Sequence, residues 1–401
     1  MASRSAVSDN GRIVIVGASL AGLRAAEALR DEGFDGTLTI LGAERHRPYD
    51  RPPLSKGLLL GEAGVDELLL RVPEDLGAEW LLGDPATALD VGRRIIRTRS
   101  GAELAFDGLV VATGSVPRRL AALDPEREGV FELRTLDDSL ALHKALRRAS
   151  KLILVGSGFI GVEVASSARR LGIEVEMVAL DPPLAVAGSV VSDVCRAMLA
   201  DHGVGLHIGG SVSEVTGSGG VEGVILDDGT ALAGDLVVVA VGARPFTDWL
   251  QGSGLMLEDG VVCDAALAAA GAERIVAAGD IARWASRLLG GATLRIEHWT
   301  NAVEQGGAAA RTLLHGSSDD TVFTSVPSFW SDHFGTRLQS VGLPLLADRV
   351  EIVAGSLEER EFVAAAYRGE TLVGATTYGM ARALVPYRAA LARAEPVLTG
   401  A

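Results

Sequence analysis

The 401-residue sequence holds only two cysteines, Cys195 and Cys263, and they sit in unrelated contexts. A disulfide framework and any Cys-x-x-Cys redox or zinc motif are thereby excluded. Histidine is also scarce, at seven residues, and no group of them has metal-ligand spacing. No iron–sulfur ligand set is present either, so no metal site is expected. Positive charge runs short: 37 basic residues against 52 acidic ones leave a net charge of −15. Nucleic acid and anionic membrane both demand a basic footprint, so neither is expected as a partner. Lysine is rarer still. Only Lys56, Lys144 and Lys151 occur, which makes the place of Lys56 conspicuous. No run approaches the ~18 uncharged apolar residues needed to span a bilayer. Residues 1–10 lack an apolar leader segment and read as a loose tail. A soluble, cytoplasmic protein is expected.

The sequence does have ample material for a core, at 48% hydrophobic and 22% charged residues, and its length suits two or three domains. Its most informative feature is a pair of glycine turns, each behind a short apolar run. Gly17-Ala18-Ser19-Leu20-Ala21-Gly22 follows Ile13–Val16, and Gly156-Ser157-Gly158-Phe159-Ile160-Gly161 follows Leu152–Val155. Residues 12–17 predict a buried parallel strand, Leu20 to Arg30 a helix, and Thr37–Leu41 a second strand, a βαβ beginning. The proline-rich stretch 47–56 breaks regular structure. Helical, then β-like material runs to a strand ending in the turn Ala112-Thr113-Gly114. From Lys151 the pattern restarts, with a helix over Val162–Leu171 and a strand over Glu174–Val178. It closes on the apolar strand 235–241 and the turn at Gly242. The repetition suggests a duplicated module. Residues 326–401 carry alternating strands, among them Glu351–Leu357 and Glu361–Tyr367, and a helical tail.

The chemistry follows from the turns. Gly17 allows the tight strand-to-helix bend and Gly22 the close packing of helix on strand, while Ser19 stands where the usual pattern has its middle glycine. The amides and dipole of a helix N-terminus there favour a pyrophosphate. Glu44, just past the second strand, is placed to accept hydrogen bonds from an adenosine ribose. The second turn has all three glycines, but Ala179 follows its strand and the nearest acid is Asp181. No arginine waits there for a 2′-phosphate, which favours NADH over NADPH. Asp280, at the end of the apolar strand Ile275–Ala278, can hydrogen-bond a sugar-alcohol chain or cap the next helix. Two facing dinucleotides suggest that electrons pass from one to the other.

Longer strings carry a resemblance. Pro48-Tyr-Asp-Arg-Pro-Pro-Leu-Ser-Lys56, Val111-Ala-Thr-Gly-Ser-Val-Pro-Arg118 and Leu133-Arg-Thr-Leu-Asp-Asp138 are three of them. Gly156 to Ala165, Ala278-Gly-Asp280, Glu297-His-Trp-Thr-Asn-Ala-Val-Glu-Gln-Gly306 and Pro327-Ser-Phe-Trp-Ser-Asp332 are the others. With these the sequence closely resembles the FAD-dependent ferredoxin reductases of bacterial cytochrome P450 and ring-hydroxylating dioxygenase systems. These are flavoproteins of the glutathione-reductase-like group, and the resemblance runs from Gly11 to about Pro386. It implies an α/β fold of two Rossmann-like dinucleotide-binding domains plus a C-terminal α+β domain. Residues 1–116 and 245–325 would hold FAD, 117–244 NADH, and 326–401 would form the third domain.

The resemblance also implies roles. Gly17, Ser19, Leu20, Ala21, Gly22, Glu44, Arg51, Lys56, Ala112, Thr113, Gly114, Arg118, Asp280, Glu297, His298, Trp299 and Trp330 would hold FAD. Lys56 would lie near the N5 edge, Asp280 on the ribityl chain and the backbone around Trp299 near the pyrimidine. Gly156, Gly158, Phe159, Ile160, Gly161, Glu163, Asp181 and Gly242 would bind NADH. Lys56, Glu163 and Trp330 would form the reacting centre, with Lys56 and Glu163 ion-paired and Trp330 on the side of a [2Fe–2S] ferredoxin partner. His298 is expected to be structural, because hydride transfer to flavin needs no such acid. An acidic ferredoxin would need a local basic patch, for which Arg283, Arg287, Arg295 and Arg337 are candidates. A monomer or weak dimer is expected. Two alternatives stay open: a disulfide reductase or peroxidase, which needs a cysteine beside the flavin, and an apoptosis-inducing-factor-like binding protein with slow reductase activity. The particular ferredoxin and oxygenase are not written in the sequence.

Overall fold

The computed structural model describes residues 10–289 and 291–393, so all but Asn10 of the expected N-terminal tail lies outside the described residues. The elements that position the site run in this order: β1 (Arg12–Val16), α1 (Leu20–Asp31), β2 (Thr37–Gly42), β3 (Ala78–Leu82), β4 (Gly108–Val111), β5 (Val130–Glu132), β6 (Lys151–Val155), α2 (Phe159–Arg170), β7 (Glu174–Ala179), α3 (Ser189–Asp201), β8 (Val204–Ile208), β9 (Leu236–Val239), β10 (Ile275–Ala277) and α4 (Trp299–His315). The last segment holds β11 (Ser328–His333), β12 (Thr336–Gly342), β13 (Arg349–Ser356), β14 (Glu361–Arg368), β15 (Thr371–Tyr378) and α5 (Val385–Arg393).

The two apolar runs ahead of the glycine turns become the middle strands of two five-stranded parallel sheets. The first has the order β10-β4-β1-β2-β3 and the second β8-β7-β6-β9-β5. In both, the strand leading into the glycine turn lies between its successor and the strand that ends in the later turn. Strands buried on both faces read as continuous apolar runs, and Ile13 to Val16 and Leu152 to Val155 are all at most 4% exposed. Burying each such side chain contributes on the order of 1.5–3 kcal/mol. β10, contributed by residues after the second sheet is complete, pairs with β4 and closes the first sheet. The second helix begins at Phe159, three residues before the position its apolar spacing suggests, because Gly158 sits at its N-cap with extended backbone.

The C-terminal segment forms an antiparallel sheet of order β11-β12-β15-β14-β13. Simple alternation does not describe it. β14 buries five consecutive residues, Phe362 to Ala366. Its two faces serve two cores: Val363 packs with Val326, Leu384 and Leu391, while Phe362 and Ala364 join the core around α2 and α3. The edge strand β13 is exposed along nearly its whole length, Val350, Ile352 and Val353 included.

Candidate active site

Each glycine turn is a cradle built by excluding Cβ atoms. Gly17 has φ +125°, and a Cβ there would lie 2.0 Å from the Ala112 carbonyl oxygen. Gly156 repeats this, with φ +110° and 2.2 Å to the Ala240 oxygen, so both positions need glycine for conformation and for space. Gly22 and Gly161 answer each other likewise, at 1.9 and 2.3 Å from the carbonyl oxygens of Gly17 and Gly156. Ser19 is the N-cap of α1 and its side chain makes no capping bond, which leaves the first amides of the helix open. Gly158 has nothing within 4 Å of where its Cβ would be.

A cleft of about 1100 Å³ opens at the first turn, lined by Ser19, Leu20, Ala21, Arg51, Ala112, Thr113, Gly114, Asp280, Glu297, His298 and Trp299. A lobe of about 620 Å³ continues past Gly17 to Glu44. A second cleft, of about 2150 Å³, lies at the other turn and is lined by Gly156, Gly158, Asp181 and Gly242. Arg118, grouped with the flavin residues in the sequence, belongs to this second cleft instead. The antiparallel pairing of Ser115–Pro117 with Ala243–Pro245 carries it there, where its Nε donates to the Ala243 oxygen at 2.9 Å. Conversely, Ile160 and Glu163, from the second turn's helix, face the first cleft. The N-terminus of α2 is therefore where the two clefts meet. Phe159 leaves both and packs on Phe329, with ring centroids 4.8 Å apart.

At that meeting point Lys56 Nζ lies 2.7 Å from Glu163 Oε2, with side chains 21% and 8% exposed. The Lys56 ammonium also donates to the Pro52 oxygen at 3.0 Å. The proline-rich stretch makes this approach possible: Pro52–Ser55 forms a single 3₁₀ turn and Gly57–Leu60 a short helix, so Lys56 stands at the joint between them. Ser55 Oγ donates to Glu163 Oε2 at 2.5 Å, and Ser331 Oγ donates to Oε1.

Elsewhere in the first cleft, Asp280 accepts from Arg134 at 2.8 Å and from Ser115 at 2.8 Å. It lies within a short 3₁₀ turn whose N-cap is Ala278, so it does not act as the cap. Glu44 accepts from Arg51 at 2.6 Å and from the Tyr49 hydroxyl at 2.5 Å. Trp299 Nε1 donates to Asp50 at 2.6 Å, and Trp330 meets Trp299 edge to face at 5.8 Å. His298 is held well below its ordinary pKa, at about 4, chiefly by burial. Its Nδ1 is buried and has no partner among the described residues. Sequence reasoning missed Arg134, Ser55, Ser331 and His333. Ser55, Arg134 and Ser331 fall inside strings noted for the resemblance, but nothing in their spacing assigns them a partner.

Two expectations about charge and sulfur are settled by position. Arg283, Arg287, Arg295 and Arg337 do not form a free basic patch: each has a carboxylate oxygen within 3.4 Å, from Glu258, Asp319, Glu297 and Asp332 respectively. Both cysteines are buried and free, and neither lines the first cleft. Burial pushes the Cys195 thiol up to about 12 and holds Cys263 higher still, so neither is a thiolate at neutral pH.

Residues 11–306 match the family model described as pyridine nucleotide-disulphide oxidoreductase, and residues 328–400 the one described as reductase C-terminal. The chain belongs to this pyridine nucleotide-disulphide oxidoreductase family and carries the reductase C-terminal module. Among its relatives is the biphenyl dioxygenase system ferredoxin–NAD(+) reductase component of Paraburkholderia xenovorans, 36% identical over 82% of this chain and 80% of that protein. Rhodocoxin reductase of Rhodococcus erythropolis is 34% identical over 96% and 90%. The crystal structure of the covalent putidaredoxin reductase–putidaredoxin complex superposes with a TM-score of 0.90 at 30% identity, covering 96% of this chain and 93% of the other.

Proposed function

We propose that this chain is an NADH-dependent flavoprotein reductase that passes single electrons to a [2Fe–2S] ferredoxin, which in turn supplies a cytochrome P450 or a ring-hydroxylating dioxygenase. The observation that carries the reading is the Lys56–Glu163 pair where the two nucleotide-type clefts meet. Cofactors supply the hard chemistry in such enzymes, and the protein contributes orientation and electrostatics.

The residues present fit FAD in the first cleft. The open amides behind Ser19 and the orphaned Nδ1 of His298 are unfilled demands for a ligand. In this reading the turn holds the pyrophosphate, Glu44 the adenosine ribose and Asp280 the ribityl chain, while Lys56, His298 and the backbone at Trp299 meet the ring. When bound, the flavin takes up a hydride from the nicotinamide and gives electrons up one at a time. The Gly156–Gly161 turn binds NADH, and α2 carries Glu163 to the boundary. There the carboxylate holds the Lys56 ammonium and fixes where its N–H groups point. His298, kept neutral by burial, positions and does not transfer protons.

A disulfide-reductase role finds no support, because no cysteine reaches the cleft. The relatives named for ferredoxin systems favour an iron–sulfur acceptor. With the four arginines already paired, docking relies on the half-buried Trp330 and its surroundings more than on free positive charge. No helix among the described residues is long and apolar enough to cross a membrane. We place the enzyme in the cytoplasm, where NADH is supplied.

Stopped-flow mixing of the FAD-loaded protein with NADH tests the reading. Bleaching of the yellow absorbance within milliseconds, followed by ferredoxin reduction, is expected. Bleaching over minutes, or protein that stays colourless after FAD is supplied, overturns it.

A further inference from the structure

Behind Glu163 runs a buried file of polar side chains that the reductase reading does not use. Ser331 and His333 lie two residues apart on β11 and therefore on one face of the strand. His333 Nε2 is 2.8 Å from Ser331 Oγ, and its Nδ1 is 3.2 Å from the Tyr378 hydroxyl at the end of β15. Cys195 on α3 belongs to the same buried core as Tyr378. Ser331, His333, Tyr378 and Cys195 are each 0% exposed.

The donors in this file can be assigned. Ser331 has one hydroxyl proton, and it goes to Glu163, an acceptor paired with the Lys56 ammonium. The short contact with His333 must then be an Nε2–H donating to Ser331 Oγ. Nδ1 is left as the acceptor, and the Tyr378 hydroxyl donates to it. His333 is thus a neutral ring in a single tautomer, consistent with its pKa being held near 4 by burial and by Lys56. No member reaches water, so the file cannot exchange protons with solvent; what it can do is orient. The terminal torsion of a glutamate is broad and sets no direction by itself. Glu163 Oε2 is engaged by Lys56 and Ser55, while Oε1 has Ser331 as its one side-chain donor among the described residues.

We infer that His333 is a positioning residue that, by holding the Ser331 hydroxyl on Glu163, fixes the carboxylate that pairs with Lys56 between the two clefts. This rests on the reductase reading. The test compares His333→Gln, whose amide can both donate to Ser331 and accept from Tyr378, with His333→Leu and Ser331→Ala, all as FAD-loaded protein. Loss of one buried hydrogen bond corresponds to about a tenfold fall in rate. That fall in NADH bleaching is expected for His333→Leu and Ser331→Ala, with FAD content and NADH affinity kept and the nicotinamide–flavin charge-transfer absorbance altered. His333→Gln restores both rate and absorbance. Wild-type rates in His333→Leu, or an equal loss in His333→Gln, overturn the inference. Ring ¹⁵N shifts of the wild-type protein at pH 6 give a readout that needs no electron donor. A neutral Nε2–H tautomer for His333 is expected, and an Nδ1–H tautomer or an imidazolium refutes it even if the enzyme proves to be a fast reductase. Slow bleaching by the wild type with the Nε2–H form intact would fault the reductase reading instead.

Discussion

The ion pair between Lys56 and Glu163 can be weighed by a double-mutant cycle. Its side chains are 21% and 8% exposed and 2.7 Å apart, close to the regime of a buried pair. Removing one partner of a buried pair costs about 3–5 kcal/mol, because the other charge is left uncompensated. Water reaches part of Lys56, so Glu163→Gln should fall below that range, at about 2–3 kcal/mol. Lys56→Met leaves a more deeply buried carboxylate with two hydroxyl donors, and should cost about 3 kcal/mol. The double variant strands neither charge, so its loss should be smaller than the sum by about 1–3 kcal/mol. Urea unfolding of FAD-saturated protein, followed by flavin and tryptophan fluorescence, gives the four stabilities. Stopped-flow bleaching gives the four rates on the same samples. Glu163→Gln should keep its FAD, since Glu163 lies on the helix of the second turn, and both single variants should bleach more slowly with NADH. Losses that add to within about 0.5 kcal/mol would show that the two groups do not act as a pair. Release of FAD from Glu163→Gln would mean that the second turn had been given the wrong cofactor.

Three further outcomes are expected. Gly156→Ala drives a Cβ to 2.2 Å from the Ala240 oxygen and should abolish NADH bleaching in a destabilised protein, whereas Gly158→Ala meets nothing within 4 Å and should fold normally with weaker NADH binding; melting curves and NADH titrations separate the two. His333, fully enclosed with a pKa near 4 against about 6.5 when unfolded, makes folding pH-dependent in a definite direction: stability is complete above pH ~6.5, falls as the unfolded ring takes up a proton, and is about 3 kcal/mol lower by pH ~4. Urea midpoints across that range should show a shallower slope in His333→Gln, and an unchanged slope would contradict the assignment. Ala179→Glu places a carboxylate at the end of β7, where ribose hydroxyls are read, and should raise the ratio of kcat/KM for NADH over NADPH about tenfold, or ~1.4 kcal/mol; an unchanged ratio would move the ribose site elsewhere.

Much of this arrangement was legible in the sequence, and the reasons are local. Ile13–Val16 with Gly17 and Leu152–Val155 with Gly156 encode a strand and the bend that ends it within a few residues, so the two modules could be read without long-range information. The sheets needed more. β10 completes the first sheet from residues that follow the second, and it was the family resemblance, not the local pattern, that implied this return. Side-chain partners were less legible. Arg118 directly follows Ser115–Pro117, a strand whose Ser115 lines the first cleft while Val116 and Pro117 line the second, and it goes with the latter. Arg283, Arg287, Arg295 and Arg337 look basic along the chain, but their acids come from loops or neighbouring strands. Arg287 and Asp319, for example, are 2.9 Å apart across 32 positions of sequence. The alternation expected in the C-terminal strands failed for β14 because a strand covered on both faces has no solvent side to mark.

That double covering bears on function. A sheet that packed only its own helix would leave the C-terminal module a separable appendage. Here the opposite face of β14 and β15, with Phe362, Ala364 and Tyr378, is part of the same core as α2 and α3. The backbone amide of Phe334, one residue past β11, donates to Ser166 on α2 at 2.8 Å, and the Phe334 ring stacks on His202 with centroids 3.9 Å apart. Helix α2 is thus gripped from the C-terminal sheet along the face that carries Glu163. The side chain at the boundary between the nucleotide clefts therefore receives donors from two parts of the chain, Lys56 and Ser55 from the proline-rich loop and Ser331 from β11, with His333 and Tyr378 backing Ser331. A carboxylate held at both oxygens is costly to assemble and hard to disturb, which suits a group that must keep one geometry while electrons arrive in pairs and leave singly.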